Sequence, residues 1–302
     1  MRFIAGPRQS GKTTLVKNFL KTKLDLFRRS GDSLAGRYFL FHLYPFSLSE
    51  LNDKPILKEA KLDALSFIES RLSSSTGIKS SKQHLEDLLN YSSFPEPFLK
   101  SSDRFYKIWQ KNYLEKLIYE DIKDISQIKD LDSIALLVKL LPETVGNPLS
   151  INALKEDLEL NHETVRTYIK YLNLLYLTFQ IKPYYKRQRY AVRKEQKLYF
   201  HDWTWIKNLS YRFENFIACE LLSLVSLWGD AGLADAELYY LRQKNKTETD
   251  FLILKENEPW LMIETKLNST DIASQHYRLS EQLGNIPVLQ IILEGDHIIK
   301  KK

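Results

Sequence analysis

Two groups of residues in this 302-residue chain have types and spacings that could do chemistry. The first is Gly6-Pro7-Arg8-Gln9-Ser10-Gly11-Lys12-Thr13, which fits G-x-x-x-x-G-K-[ST]. Gly6 and Gly11 permit a tight turn whose backbone N–H groups face phosphate oxygens. Lys12 would reach the β- and γ-phosphates, and Thr13 would ligate Mg²⁺. Thr14 joins them as a nucleotide-binding residue, and ATP with Mg²⁺ is the expected cofactor pair. The surroundings suit this reading. A short apolar run, Arg2 to Ala5, precedes the loop, and Gly11 to Thr22 follows with Leu15, Val16, Phe19 and Leu20 on one helical face.

The second group lies near the other end. Asp250 precedes an apolar run, and Glu264-Thr265-Lys266 closes the run Trp260 to Ile263. This is the D…E-x-K arrangement of restriction-endonuclease-like folds. Asp250 and Glu264 would coordinate Mg²⁺, which polarises a scissile phosphate and lowers the pKa of a bound water. Lys266 would position that water or offset developing charge. Glu214, on the preceding predicted helix, can add a third carboxylate. E-x-K also occurs at Glu59–Lys61 and Glu195–Lys197, but only Glu264–Lys266 ends an apolar strand with an acid-bearing strand before it. The same pattern is satisfied by a self-neutralised cluster in which the carboxylates pair with Lys266 and Arg242.

Between these groups, Ile151 to Leu175 has the spacing of a helix-turn-helix, with the turn at Glu159-Leu160-Asn161. The second helix would present His162, Glu163, Thr164, Arg166, Thr167 and Lys170 outward, and the first residues of a recognition helix are those that meet base edges. A basic strip follows. From Pro183 to Phe200 the positive residues are Lys186, Arg187, Arg189, Arg193, Lys194 and Lys197, opposed by Glu195 alone. Most of the net charge of +6 is therefore concentrated in one segment. Such a strip suits phosphate contact as the wing of a winged helix, with Arg166, Lys170, Lys186, Arg187, Arg189 and Arg193 as nucleic-acid residues. A winged helix used to pack against another domain or a partner would read the same.

The elements that must position these residues follow from periodicity and punctuation. Arg37 to Tyr44 predicts a strand, Leu51 to Leu72 a helix, Ser73 to Gly77 a loop continued by Lys79 to Lys82, and Phe94-Pro95-Glu96-Pro97 a rigid turn. Ser102 can cap a long helix in which Phe105, Trp109, Tyr113 and Leu117 recur. Helices are predicted over 131–141, 151–158 and from 161 to 175, and a strand over 177–181. Beyond Lys197 the pattern is mixed: helices over 213–228 and 269–284, and strands over 237–241, 251–254, 260–264 and 288–293.

Composition narrows the class. Hydrophobic residues at 43% and charged residues at 27% are ordinary globular usage, which excludes a disordered chain or a fibre. No apolar stretch reaches the roughly 20 residues of a membrane span. The beginning Met1-Arg2-Phe3-Ile4-Ala5-Gly6 does not resemble a secretory leader, so a cytoplasmic protein without a membrane partner is expected. A single cysteine, Cys219, excludes an intrachain disulfide and is expected to act as a small buried hydrophobe.

Taken in order, GPRQSGKTTL, SLAGR with LYPFSLSEL, FPEP, ETVRTYIKYL, KLYFHD, RFENF, TETDF and IETK resemble bacterial and archaeal AAA-type ATPases with a C-terminal domain of unknown function. The similarity covers most of the chain. It implies that Lys12 and Thr13 are nucleotide ligands, that Arg37 is a polar element near them, and that the C-terminal domain is nuclease-like. One departure matters. In that family the segment between the loop helix and the LAGR stretch holds the Walker B strand, whereas here Leu24 is followed almost at once by Phe27-Arg28-Arg29-Ser30. No hydrophobic run between Thr13 and Pro95 closes in Asp-Glu. Hydrolysis needs that acid to hold Mg²⁺ and activate water.

The expected protein is thus α/β and multi-domain: a truncated P-loop segment (1–52), a helical connector (53–125), a winged helix with a basic wing (126–196) and a restriction-endonuclease-like domain (197–302). Its expected function is that of an AAA-type ATP-binding protein associated with DNA, with impaired hydrolysis. A protein partner or self-association would complete the short first sheet. A metal-dependent nuclease with a vestigial ATP site, a DNA-binding module and an inert remnant stand as alternatives.

Overall fold

The computed structural model describes residues 2–19, 39–52, 57–73, 78–125, 128, 130–185, 195–243, 247–269 and 271–294. In chain order the elements are β1 (Arg2–Ala5), α1 (Lys12–Phe19), β2 (Phe39–His42), α2 (Leu48–Leu51), a 3₁₀ turn (Leu57–Lys61), α3 (Ala64–Ser73), α4 (Ile78–Tyr91), α5 (Pro95–Lys100) and α6 (Asp103–Lys116). A π-helical turn (Leu117–Ile122) leads into α7 (Lys123–Ile125). Then come α8 (Leu131–Leu140), α9 (Ile151–Asp157), α10 (His162–Leu174), β3 (Thr178–Pro183), β4 (Lys197–Phe200), α11 (Leu209–Asp230), β5 (Ala236–Arg242), β6 (Glu248–Lys255), β7 (Glu258–Lys266), α12 (Ser274–Gln282) and β8 (Val288–Ile292). The chain is mixed α/β.

Caps account for several boundaries. Ser102 accepts from Phe105 N–H and starts α6. Asn161 accepts from Thr164 N–H at 2.8 Å and starts α10. Each satisfies a backbone donor that the first helical turn leaves open. Three readings of the sequence need correction. The segment 51–72 is not one helix: α2 ends at Leu51, and the 3₁₀ turn and α3 are separate pieces. Lys79 to Lys82 belong to α4, a helix whose Leu88 and Leu89 are buried. Phe94 to Pro97 is the entry to α5, with Pro95 at a first-turn position where a missing N–H costs nothing.

Two sheets form. In the first, β1 and β2 run parallel, with Arg2 opposite Phe39 and Ala5 opposite His42. In the second, six strands take the order β4-β3-β5-β6-β7-β8. The hairpin of β3 and β4, the base of the predicted wing, belongs to that sheet: Lys182 and Pro183 pair parallel with Tyr239 and Tyr240 of β5. The expected division at 196/197 therefore falls inside a hairpin. The rest of the basic strip, Lys186, Arg187, Arg189, Arg193 and Lys194, lies outside the described residues, as does Arg37.

Helix α11 is the axis of the molecule. Its 22 residues span about 33 Å. Phe213, Phe216, Ile217, Leu221, Leu224, Val225 and Trp228 are buried along it. It packs on β5, β7 and β4, and β2 of the small sheet rests on it too. There His42 N–H and Nδ1 meet the Asp230 carboxylate, Tyr44 Oη lies 3.0 Å from Ser226 Oγ, and Leu48 N–H donates to Glu220 Oε1 at 2.9 Å. Burial pushes the Glu220 carboxyl up to about 7. Among the described residues, no helix is long and apolar enough to cross a membrane.

Candidate functional site

The loop between β1 and α1 needs its glycines. Gly6 has φ +148° and Gly11 φ +91°, a region that side chains bearing a Cβ avoid. A Cβ on Gly6 would lie 2.1 Å from Leu43 O, so the backbones of the loop and of the stretch after β2 are in direct contact. The turn points Lys12 inward. Its Nζ donates to Gly6 O at 2.8 Å and to Pro7 O, and burial pulls its ammonium below the usual lysine range. Thr13 and Thr14, at the start of α1, are exposed. Ser10 Oγ is buried and has no hydrogen-bond partner among the described residues.

A contact that sequence reading does not anticipate ties this loop to the helical connector. Arg8 Nη1 donates to Asp121 Oδ1 at 2.5 Å and Nη2 reaches Glu120 Oε2 at 3.4 Å. Both acids sit in the π-helical turn that interrupts the run from α6 to α7. Extra residues of this kind inside a helix often mark functional positions. The local signal is weak, because the two partners lie more than a hundred positions apart.

The residues of the expected helix-turn-helix lie on α9 and α10. His162, Glu163, Arg166, Thr167 and Lys170 are exposed on α10, while Val165, Tyr168, Ile169 and Leu172 are buried beneath them. Thr164 is half-buried. Glu163 lies 3.5 Å from Arg166 and 3.4 Å from His162.

The acids of the C-terminal sheet do converge. Asp250 on β6 and Glu264 on β7 meet across the strand pair: Asp250 N–H donates to Glu264 Oε2 at 3.3 Å. Thr265 then gives Asp250 Oδ2 two hydrogen bonds, from N–H at 2.9 Å and Oγ1 at 2.6 Å. Lys266 Nζ is 2.5 Å from Glu264 Oε1. Burial, then the neighbouring Asp250, pushes the Glu264 carboxyl up to about 7. Glu214 projects from α11 into the same region, where Tyr199 Oη donates to its Oε1 at 2.8 Å. His276 Nε2 stands 3.8 Å from Glu264 Oε1, and its Nδ1 is 2.9 Å from Thr249 Oγ1. Burial and Lys266 push the imidazole below its usual range.

Two members of this cluster escape the sequence reading of the site. Glu248 lies two positions before Asp250, and residues so spaced share a face of a strand. That signal is legible. Lys197 reads in sequence as part of the basic wing. In the structure it is fully buried, with Nζ 3.0 Å from Glu214 Oε1, 2.6 Å from Glu248 Oε1 and 3.8 Å from Asp250 Oδ1. Arg242 Nη1 reaches the other Glu248 oxygen at 3.0 Å. Among the described residues, no group of three or more His, Cys, Asp or Glu side chains is placed to hold a metal ion. The carboxylate oxygens of the cluster face Lys197, Lys266, Arg242 and Thr265. Beside the cluster, Asn215 holds β4 by accepting from Phe200 N–H and donating to Phe200 O, and Cys219, which is partly buried, donates to the same carbonyl at 3.1 Å.

Comparison with known proteins divides the chain at the start of α11. Residues 82–210 match a domain of unknown function, DUF8612, and residues 212–301 match a second, DUF4143. The latter is found in AAA-ATPase-associated proteins. An uncharacterized protein of Methanocaldococcus jannaschii is 28% identical over 195 residues, which is 63% of this chain and 43% of the relative. The chain thus aligns with less than half of that relative's length. No solved structure matches significantly.

Proposed function

We propose that this chain is a P-loop nucleotide-binding protein associated with DNA, in which nucleotide binding is not followed by efficient hydrolysis. The observation that carries the nucleotide reading is the loop itself. Two glycines at positive φ, a lysine turned into the loop and a helix start with two exposed threonines suit a phosphate ligand. The match of residues 212–301 to a domain found beside AAA-type ATPases supports it. Poor turnover follows from chemistry. No hydrophobic run between Thr13 and Pro95 closes in Asp-Glu to hold Mg²⁺, and Asp121, which reaches the loop, is engaged by Arg8.

The test is a thermal shift with ATP and Mg²⁺. Ligand binding to the folded state stabilises by RT ln(1 + [L]/Kd), so a ligand at a hundred times Kd adds about 2.7 kcal/mol. A saturable shift in the wild type that is lost in Lys12→Ala is expected, with ATP turnover at background in both. No shift at millimolar ATP, or steady Lys12-dependent turnover, contradicts the proposal.

DNA association rests on the exposed basic face of α10 and on the basic strip that follows. Cations that touch phosphates release counterions, so removing one such cation flattens the slope of log K against log salt by about one unit. Arg166→Ala with Lys170→Ala should weaken duplex binding and flatten that slope. Unchanged affinity and slope would make α10 a plain solvated face.

A further inference from the structure

The acids of the C-terminal sheet are counter-charged from within. Lys197 opens β4, at a position where all four residues of the strand are buried. A lysine ammonium has three donors and no acceptor. Here those donors meet Glu214 of α11 at 3.0 Å and Glu248 of β6 at 2.6 Å, with Asp250 of β6 at 3.8 Å. The Tyr240 ring lies against the same ammonium, 5.6 Å from its centroid. Each oxygen of Asp250 and Glu264 therefore already faces a donor. Asp250 Oδ1 faces Lys197, its Oδ2 holds Thr265, Glu264 Oε1 holds Lys266 and Glu264 Oε2 holds Asp250 N–H. Among the described residues, four carboxylates (Glu214, Glu248, Asp250 and Glu264) face three side-chain cations (Lys197, Lys266 and Arg242), which leaves little charge for a divalent ion to neutralise.

We propose that the Lys197 ammonium stands in the place of a divalent cation, so that this nuclease-like centre is a metal-independent ion-pair junction joining β4, α11 and β6. The lysine, the last cation of the basic strip, reaches the junction from the strand that pairs with β3. It therefore also links the helix-turn-helix unit to the C-terminal sheet. A divalent ion could enter only by displacing a buried ammonium that is itself held by two close carboxylates.

Mn²⁺ alone, added to the nucleotide-free full chain, tests this through thermal shift and the loss of the free-ion EPR signal. The wild type is expected to show no saturable Mn²⁺ effect that depends on Asp250 or Glu264. Lys197→Ala vacates a space bordered by Glu214, Glu248 and Asp250, and should bind Mn²⁺ at least tenfold more tightly than the wild type, with a gain in melting temperature that Glu248→Gln removes. Should Lys197→Ala fail to fold, the charge-balanced Lys197→Ala/Glu214→Gln variant carries the same measurement. Saturable Mn²⁺ binding by the wild type that is abolished in Glu264→Gln overturns the proposal. So does metal-dependent DNA cleavage lost in Asp250→Asn, or a folded Lys197 variant that binds Mn²⁺ no better than the wild type.

Discussion

Asn215→Ala should lower the stability of the chain by about 1–3 kcal/mol, measured by denaturant unfolding, because that is roughly what an orphaned buried donor costs and truncation orphans the Phe200 N–H. The amide of Asn215 is fully buried and serves both backbone groups of Phe200, accepting from its N–H at 2.8 Å and donating to its carbonyl at 2.7 Å. Cys219 Sγ still donates to the Phe200 carbonyl, which offsets part of one loss, so the N–H side dominates. The consequence is not confined to one strand. β4 carries Lys197 and Tyr199, and both meet Glu214, the residue before Asn215 on the same helix. Loosening Phe200 should therefore also loosen the ion-pair junction. A measured effect below about 1 kcal/mol, less than one orphaned group costs, would mean that the backbone of β4 finds other partners and that Asn215 is not its anchor.

The second large effect is expected at Gly6. A Cβ there would sit 2.1 Å from Leu43 O, a contact with backbone that no side-chain movement relieves. Gly6→Ala must therefore push the loop away from the stretch after β2. That displacement works against the hydrogen bond from Leu43 N–H to Ala5 O, which extends the β1–β2 pair to the mouth of the loop. Nucleotide-dependent stabilisation should disappear, as in Lys12→Ala, but for a different reason: the amide cradle is deformed while the lysine is intact. Gly11→Ala gives the contrast. Its added Cβ meets nothing within 4 Å among the described residues, so the backbone cost of φ +91° remains, of order 1 kcal/mol. A weaker but measurable nucleotide shift is expected there. Equal retention of the shift in Gly6→Ala and wild type would remove the close approach of loop and β2 from the account of the site.

The Arg8 contact shows how far local reasoning reaches. The loop's backbone is legible because the pattern puts glycine where φ is positive, at Gly6 and Gly11. Nothing local could show that Arg8 closes on Asp121, because that pairing depends on where α6 and its π-helical turn come to rest. The pair α9 and α10 is legible for the same reason as the loop. Asn161 caps α10 through its own side chain, and alternation of buried and exposed residues on one helix is set by the 3.6-residue period.

At the C-terminal cluster the two kinds of information separate cleanly. Strand periodicity alone put Asp250 and Glu264 on neighbouring strands and Lys266 on the same face as Glu264, and a period of two also puts Glu248 beside Asp250. What periodicity cannot give is the charge that faces them from another element. Lys197 reads in sequence as one more cation of a basic strip, and only strand pairing of β4 with β3, and of β3 with β5, carries it into the interior. The sequence by itself determined which acids could share a site. Tertiary structure decided that a buried ammonium, reaching them across the sheet and α11, answers their charge, because electrostatic partners are chosen by distance in space and not by separation along the chain.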